Sequence, residues 1–209
     1  MKIVLFGDSI TDCARIREEG YGPGAHGYGY ARIVANELMG ADPNEYQVLN
    51  RGISGNRVTD LYARIKGDVW NYSPDVLSIL IGVNDVWHEI AHHNGVELPR
   101  FVKTYRSIIE ETKERFPNIK IILCEPFITE GSATSPNMDR FLAVKAYAKE
   151  VKKLAEEYGL FFLPLQDAID EKYKQCPEFC LSDGVHPHVG GVKTIADAWL
   201  KLFKEQVDV

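Results

Sequence analysis

Four short clusters in this 209-residue chain hold side chains that could do chemistry together. They are Gly7-Asp8-Ser9, Asn50-Arg51-Gly52-Ile53-Ser54-Gly55-Asn56, Gly82-Val83-Asn84-Asp85 and Ser182-Asp183-Gly184-Val185-His186-Pro187. Between them they supply what acyl transfer to a serine requires. Ser9 offers a hydroxyl nucleophile, His186 a base, and Asp183, three residues before it, a carboxylate to fix the imidazole tautomer. Asn84 offers a side-chain amide, and Gly55 a backbone N–H without a side chain in front of it. Both suit the place where an oxyanion would develop. Taken singly, each cluster has an ordinary reading: a helix cap at Ser9, a loop glycine at Gly55, a turn at Asn84-Asp85, a surface pair at Asp183 and His186. Their joint occurrence points to a site.

A site needs elements that bring these clusters together. Short apolar runs rich in β-branched and aromatic residues mark strands at 2–6, 46–49, 75–81, 119–124 and 160–163. Helical spacing appears at 29–39, at 101–116 (Phe101, Tyr105, Ile108, Ile109, Thr112), at 138–158 (Phe141, Val144, Ala148, Val151, Leu154) and at 190–206 (Ile195, Trp199, Leu202, Phe203). Strand alternating with helix predicts one α/β domain over 1–209, with a parallel sheet covered on both faces. The first three clusters follow the first three predicted strands. In a parallel sheet they emerge at one edge, where α/β folds bind ligands. Ser9 is expected to open a helix, its own N–H joining the oxyanion donors.

With Gly7-Asp8-Ser9, Gly55 in Ser54-Gly55-Asn56, Gly82-Val83-Asn84-Asp85 and Asp183-Gly184-Val185-His186 in that order, the chain resembles the GDSL, or SGNH, hydrolase superfamily. The resemblance implies a flavodoxin-like three-layer α/β/α sandwich with five parallel strands and no cofactor. It implies a serine esterase with Ser9, Asp183 and His186 as catalytic residues and Ser9, Gly55 and Asn84 as the oxyanion hole. Within the superfamily, "GDSITDC", "NRGISGNRVTDL" and "GVNDVWHE" look like the acetylxylan-esterase-like carbohydrate esterases. That resemblance implies a small acetylated oligosaccharide substrate and a homo-oligomer. Asp8 and Trp87 are further expected at the substrate, Trp87 as the floor of a small acyl pocket or a sugar platform. A general short-chain esterase or lysophospholipase-type acylhydrolase is the runner-up, and a non-catalytic flavodoxin-like binding domain the non-enzyme alternative.

Two other motifs compete. His88-Glu89-Ile90-Ala91-His92 matches HExxH of zinc hydrolases, but Leu98 stands where the extended motif needs a third histidine. The stretch is short, follows directly on a strand-end turn and is soon interrupted by Asn94-Gly95, so His88, His92 and His93 read as solvated or rim residues and no metal is expected. Gly22-Pro23-Gly24-Ala25-His26-Gly27 matches GxGxxG but follows no strand, so it reads as a flexible loop near the site mouth.

Composition bounds the rest. A net charge of −6 argues against a broad nucleic-acid surface, and no apolar run is long enough to cross a membrane. Five residues after Lys2 are too few for the apolar core of a secretory signal, so a cytoplasmic protein is expected. In that compartment Cys13, Cys124, Cys176 and Cys180 are expected as free thiols.

Overall fold

In the computed structural model, which describes residues 1–18 and 22–208, five parallel strands form one sheet in the order β2-β1-β3-β4-β5. They are β1 (Lys2–Gly7), β2 (Gln47–Gly52), β3 (Val76–Leu80), β4 (Lys120–Cys124) and β5 (Phe161–Leu163). All five fall on the expected runs. β2 extends three residues past the expected Leu49 into Asn50-Arg51-Gly52, which pair with Leu5, Phe6 and Gly7 of β1. The buried Asn50 meets the cost of carrying an amide into the sheet. Its Nδ2 donates to the carbonyls of Thr11 and His26 at 2.7 and 3.0 Å, and its Oδ1 accepts from Gly52 N at 2.9 Å.

Helices cover both faces, making three layers. On one side lie α2 (Tyr30–Ala41), α8 (Gln166–Gln175) and α10 (Val189–Leu202); on the other α3 (Val58–Asp68), α5 (Leu98–Arg115) and α7 (Val144–Tyr158). Short helices α1 (Ser9–Asp12), α6 (Met138–Phe141) and α9 (Pro177–Cys180), with the longer α4 (Val83–His92), lie in the connections. Strand residues Ile3, Val4, Leu5, Val76, Leu77 and Ile122 are fully buried, as a sheet covered on both faces demands. Trp199 on α10 is fully buried too, and its indole N–H donates to Ser78 Oγ on β3 at 3.0 Å.

The helices differ from expectation in three places. The predicted 138–158 helix is divided, because residues 142–146 are joined by tighter i→i−3 bonds, such as Ala146 N to Ala143 O at 2.8 Å. The last helix stops at Leu202 and passes into a π-turn over Phe203–Val207, where Phe203 stacks on Trp199 with ring centroids 4.9 Å apart. Helices α3, α4, α8 and α9 were not expected at all. Among the described residues no helix is long and apolar enough to cross a membrane.

Gly7 of β1 lies opposite Gly52 of β2 and Leu80 of β3. The chain therefore leaves all three strands at the same level. It passes from β1 to β2 on one side and returns to β3 on the other, which opens a crevice beyond the carboxyl ends of β1 and β3.

Candidate active site

Ser9 stands at that crevice, at the first position of α1. Asp8 caps the turn by accepting Ile10 N at 3.0 Å. A first-turn N–H has no intrahelical acceptor, so the Ser9 amide is available to a ligand. Ser9 Oγ lies 2.8 Å from His186 Nε2, and His186 Nδ1 lies 2.6 Å from Asp183 Oδ2. The other Asp183 oxygen accepts the backbone N–H groups of Val185 and His186 at 2.8 and 2.7 Å. This turn holds the carboxylate within hydrogen-bond reach of its own histidine, which is why a spacing of three suffices. With the Nδ1 proton directed at Asp183, Nε2 is left to accept from the Ser9 hydroxyl.

The electrostatics agree with those roles. The hydrogen bond from Asp183 raises the His186 pKa above the ordinary imidazole value, although burial opposes it. Burial alone would raise Asp183; the bonds from the His186 ring and from two backbone N–H groups outweigh it and hold the carboxyl below its ordinary value. The pair is thus a carboxylate beside an imidazole of raised basicity.

Asn84 and Gly55 complete the mouth. Asn84 occupies the first turn of α4, is 7% exposed, and donates one amide hydrogen to Asn56 O at 3.0 Å, leaving the other for the crevice. Gly55 has φ +81°, and an added Cβ would find no protein atom within 4 Å. The glycine is set by its left-handed backbone and by the cavity beside it, not by packing. Trp87, one turn along α4 from Asn84, is half-buried. Its ring meets Phe141 edge-on at 5.7 Å and the His186 ring at 5.9 Å.

Two cavities flank Ser9 and share its side chain, Ser54 and His186. One, of about 410 Å³, is lined by Gly55, Asn84, Trp87, His88 and His92. The other, of about 440 Å³, is lined by Cys13, Tyr28, Ser182, Asp183, Pro187 and His188.

Asp8, expected at the substrate, lies elsewhere. It is 1% exposed and lines neither cavity; its carboxyl caps α1, and burial lifts its pKa to about 6. The HExxH stretch lies in the second half of helix α4, so His88 and His92 share a face with ring centroids 5.9 Å apart, at the rim of the first cavity. Glu89 turns away from them to accept Gly95 N at 3.1 Å. Among the described residues no third His, Cys, Asp or Glu joins the pair in a group that could hold a metal. The glycine-rich segment is docked rather than free over 22–29: His26 is buried with Nε2 2.8 Å from Val48 O, and Tyr28 reaches the second cavity. All four cysteines are free thiols.

Sequence reasoning missed the residues that hold the parts in register. Asp12 Oδ2 accepts both the N–H and the hydroxyl of Ser54, at 2.9 and 3.0 Å, tying the Gly55 loop to α1. Arg64 on α3 donates to Gly7 O at 2.9 Å and to Asn56 Oδ1 at 2.6 Å, and so clasps the serine loop and the glycine loop together. Nothing local in the sequence marks Arg64; Asp12 and Ser54 do stand inside the quoted stretches GDSITDC and NRGISGNRVTDL.

Comparisons with known proteins bear on the chain as a whole. The model of the GDSL-like Lipase/Acylhydrolase family matches residues 5–193. An acetylxylan esterase of Geobacillus stearothermophilus is 41% identical over 208 residues, covering 96% of this chain and 92% of that protein. The solved structure of an acetylxylan esterase from the same organism aligns with a TM-score of 0.83 at 40% identity, over 96% of this chain and 92% of that one. An alpha/beta hydrolase enzyme from the metagenome of Lake Arreo, Spain, aligns with a TM-score of 0.84 at 32% identity, over 96% and 93%. With the family model spanning most of its length and relatives of this identity covering nearly all of it, the chain belongs to the GDSL-like lipase/acylhydrolase family and is a carboxylic ester hydrolase.

Proposed function

We propose that the chain is a serine esterase that removes acetyl groups from small acetylated oligosaccharides through an acyl-enzyme on Ser9. The observation that carries this reading is the run of hydrogen bonds from Ser9 Oγ through His186 to Asp183, beside the amides of Asn84 and Gly55. The preference for acetylated sugar rests on the 41% identity to an acetylxylan esterase.

In the first step Ser9 Oγ bonds to the ester carbonyl carbon while its proton passes to His186 Nε2. The carbonyl electron pair moves onto oxygen, held by the N–H groups of Ser9 and Gly55 and by the Asn84 amide. Asp183 steadies the imidazolium. The tetrahedral centre then collapses, the bond to the alcohol oxygen breaks, and His186 returns its proton to that oxygen. Water repeats the sequence on the acyl-enzyme, with His186 taking its proton, and releases the acid and free Ser9.

The test is Ser9→Ala assayed on acetylated xylo-oligosaccharides and on a simple acetate ester. Loss of both activities with an unchanged fold supports the reading. Turnover in Ser9→Ala comparable to the parent would overturn it. A parent that hydrolyses the simple ester but no acetylated sugar would leave the general short-chain esterase as the better description.

A further inference from the structure

The two cavities beside Ser9 are not equivalent, and their difference assigns the two halves of an ester. The carbonyl oxygen must face Gly55 and Asn84, and these line only the first cavity. The alcohol oxygen must lie within reach of His186 Nε2, which protonates it as it leaves. The second cavity is bounded by His186, Asp183, Pro187 and His188, with neither Gly55 nor Asn84 in its wall. At about 440 Å³ it is in the range of small-molecule sites, roughly 300–1,000 Å³.

Its rim carries Tyr28, a residue 74% exposed in a chain that buries most of its large apolar side chains. The position of Tyr28 is built, not incidental. Gly27, at φ +68°, sits so close to the chain at 12–13 that an added Cβ would lie 2.3 Å from Cys13 O. Gly29, on the other side of Tyr28, would bring a Cβ to 2.8 Å from Cys13 Cβ. Between these two approaches Tyr28 N donates to Cys13 O at 3.0 Å. Cys13 and Ala14 in turn hold φ of +43° and +55°, two successive non-glycine residues in the left-handed region. Strain of that kind persists where the surroundings impose it and collects at functional sites. Across the cavity His188 is braced by the Phe179 ring, with centroids 5.8 Å apart.

Resting on the deacetylase reading, we propose that the second cavity receives the sugar of the leaving alcohol and that Tyr28 is its stacking platform. A pyranose ring has an apolar C–H face and a hydroxyl rim. A tyrosine standing at a wet edge offers the matching flat surface and a polar tip. Tyr28 is therefore a specificity-determining residue for the alcohol half of the ester, acting apart from the acyl half.

The experiment compares the parent, Tyr28→Ala and Tyr28→Phe on acetylated xylotriose and on ethyl acetate, whose alcohol is too small to reach the rim. Tyr28→Ala is expected to lose roughly three- to tenfold in kcat/KM on the sugar, mostly through KM, the scale of one aromatic contact. Ethyl acetate should stay within about twofold, and Tyr28→Phe should keep most of the sugar activity. Equal losses on both esters would reduce Tyr28 to a structural role, and no loss on the sugar would overturn the platform. If light scattering shows a smaller assembly for Tyr28→Ala than for the parent, Tyr28 is an interface residue and the proposal falls. A parent active on ethyl acetate but silent on every acetylated sugar overturns the deacetylase reading itself, and the platform with it. A parent active on the sugar with an indifferent Tyr28→Ala overturns the platform alone.

Discussion

The carboxylate of Asp85 accepts the backbone N–H of Val58 with both of its oxygens, at 3.1 and 3.3 Å. Asp85 follows Asn84 at the start of α4, and Val58 begins α3 just after the Gly55 loop. One side chain thus locks together the two elements that present the proposed oxyanion donors, Asn84 and Gly55. Asp85 is 1% exposed, so Asp85→Ala would strand a buried N–H at a cost of about 1–3 kcal/mol. The expected fall in Tm is about 2–4 °C per kcal/mol for a chain of this size, together with a loss of kcat as Asn84 and Gly55 drift apart. Calorimetry and initial rates on the same preparation check both; an unchanged Tm would remove the clasp.

Asp85 also predicts a pH dependence of stability. Burial raises its pKa to about 7, against the lowering effect of the Val58 bond, and raises Asp8 to about 6. Both groups hold protons more tightly in the folded chain than in the unfolded one. Their contribution therefore weakens stability progressively as pH rises from the unfolded value near 3.8 through about 7, and is constant above that. Asp85→Asn keeps an acceptor for Val58 but cannot ionise. Its Tm relative to the parent should be higher at pH 8 than at pH 5; a difference that does not change between the two would contradict the buried, titrating carboxyl.

For Asp183 and His186 the sign concerns catalysis. Nε2 must be unprotonated to accept from Ser9, and the bond to Asp183 raises the imidazole pKa above 6.5. kcat/KM should therefore fall as pH drops through a value above 6.5. Asp183→Asn should lower the rate by roughly 10³–10⁴ and move the limb of the residual activity to lower pH. A limb that stays in place would mean that another group controls the rate.

Asn84→Ala separates transition-state stabilisation from binding. In the proposed role the amide would contact the carbonyl oxygen most strongly once it carries charge, so kcat should fall roughly 10²- to 10³-fold with KM little changed. A rise in KM at constant kcat would make Asn84 a substrate-binding group instead.

The strand ends were legible because Gly7-Asp8-Ser9 and Gly82-Val83-Asn84 interrupt apolar runs with residues that strands disfavour. The helix that carries Asn84 was not. Its apolar face is only Val83, Val86, Trp87 and Ile90, and it opens on glycine, asparagine and aspartate, which read locally as a turn. Asp8 misled for a related reason. The residue beside a nucleophile looks like a ligand group, yet its short carboxyl satisfied the nearest free helix N–H. Arg64 was invisible, since its bond to Gly7 O joins residues 57 apart and exists only after α3 packs on the sheet. The candidate residues stand in short local clusters, whereas groups such as Arg64 that hold those clusters together act across the tertiary fold.

The last prediction concerns the acyl half. If the carbonyl oxygen is held at Gly55 and Asn84 and the alcohol is directed past His186, as proposed, the acyl chain is left to pass Trp87, whose ring centroid is 5.9 Å from that of His186. Phe141 supports the indole from behind at 5.7 Å, so the ring is not free to swing away. On this reading an acetyl methyl is accommodated beside the ring and a longer chain is expected to overlap it. An open apolar channel would do the opposite, because each added methylene gains about 0.8 kcal/mol on burial. p-Nitrophenyl esters from acetate to octanoate discriminate the two. The parent should be fastest in kcat/KM on acetate, and Trp87→Ala should recover the longer chains while losing little on acetate. Activity that climbs toward octanoate in the parent would show that Trp87 does not bound the acyl group.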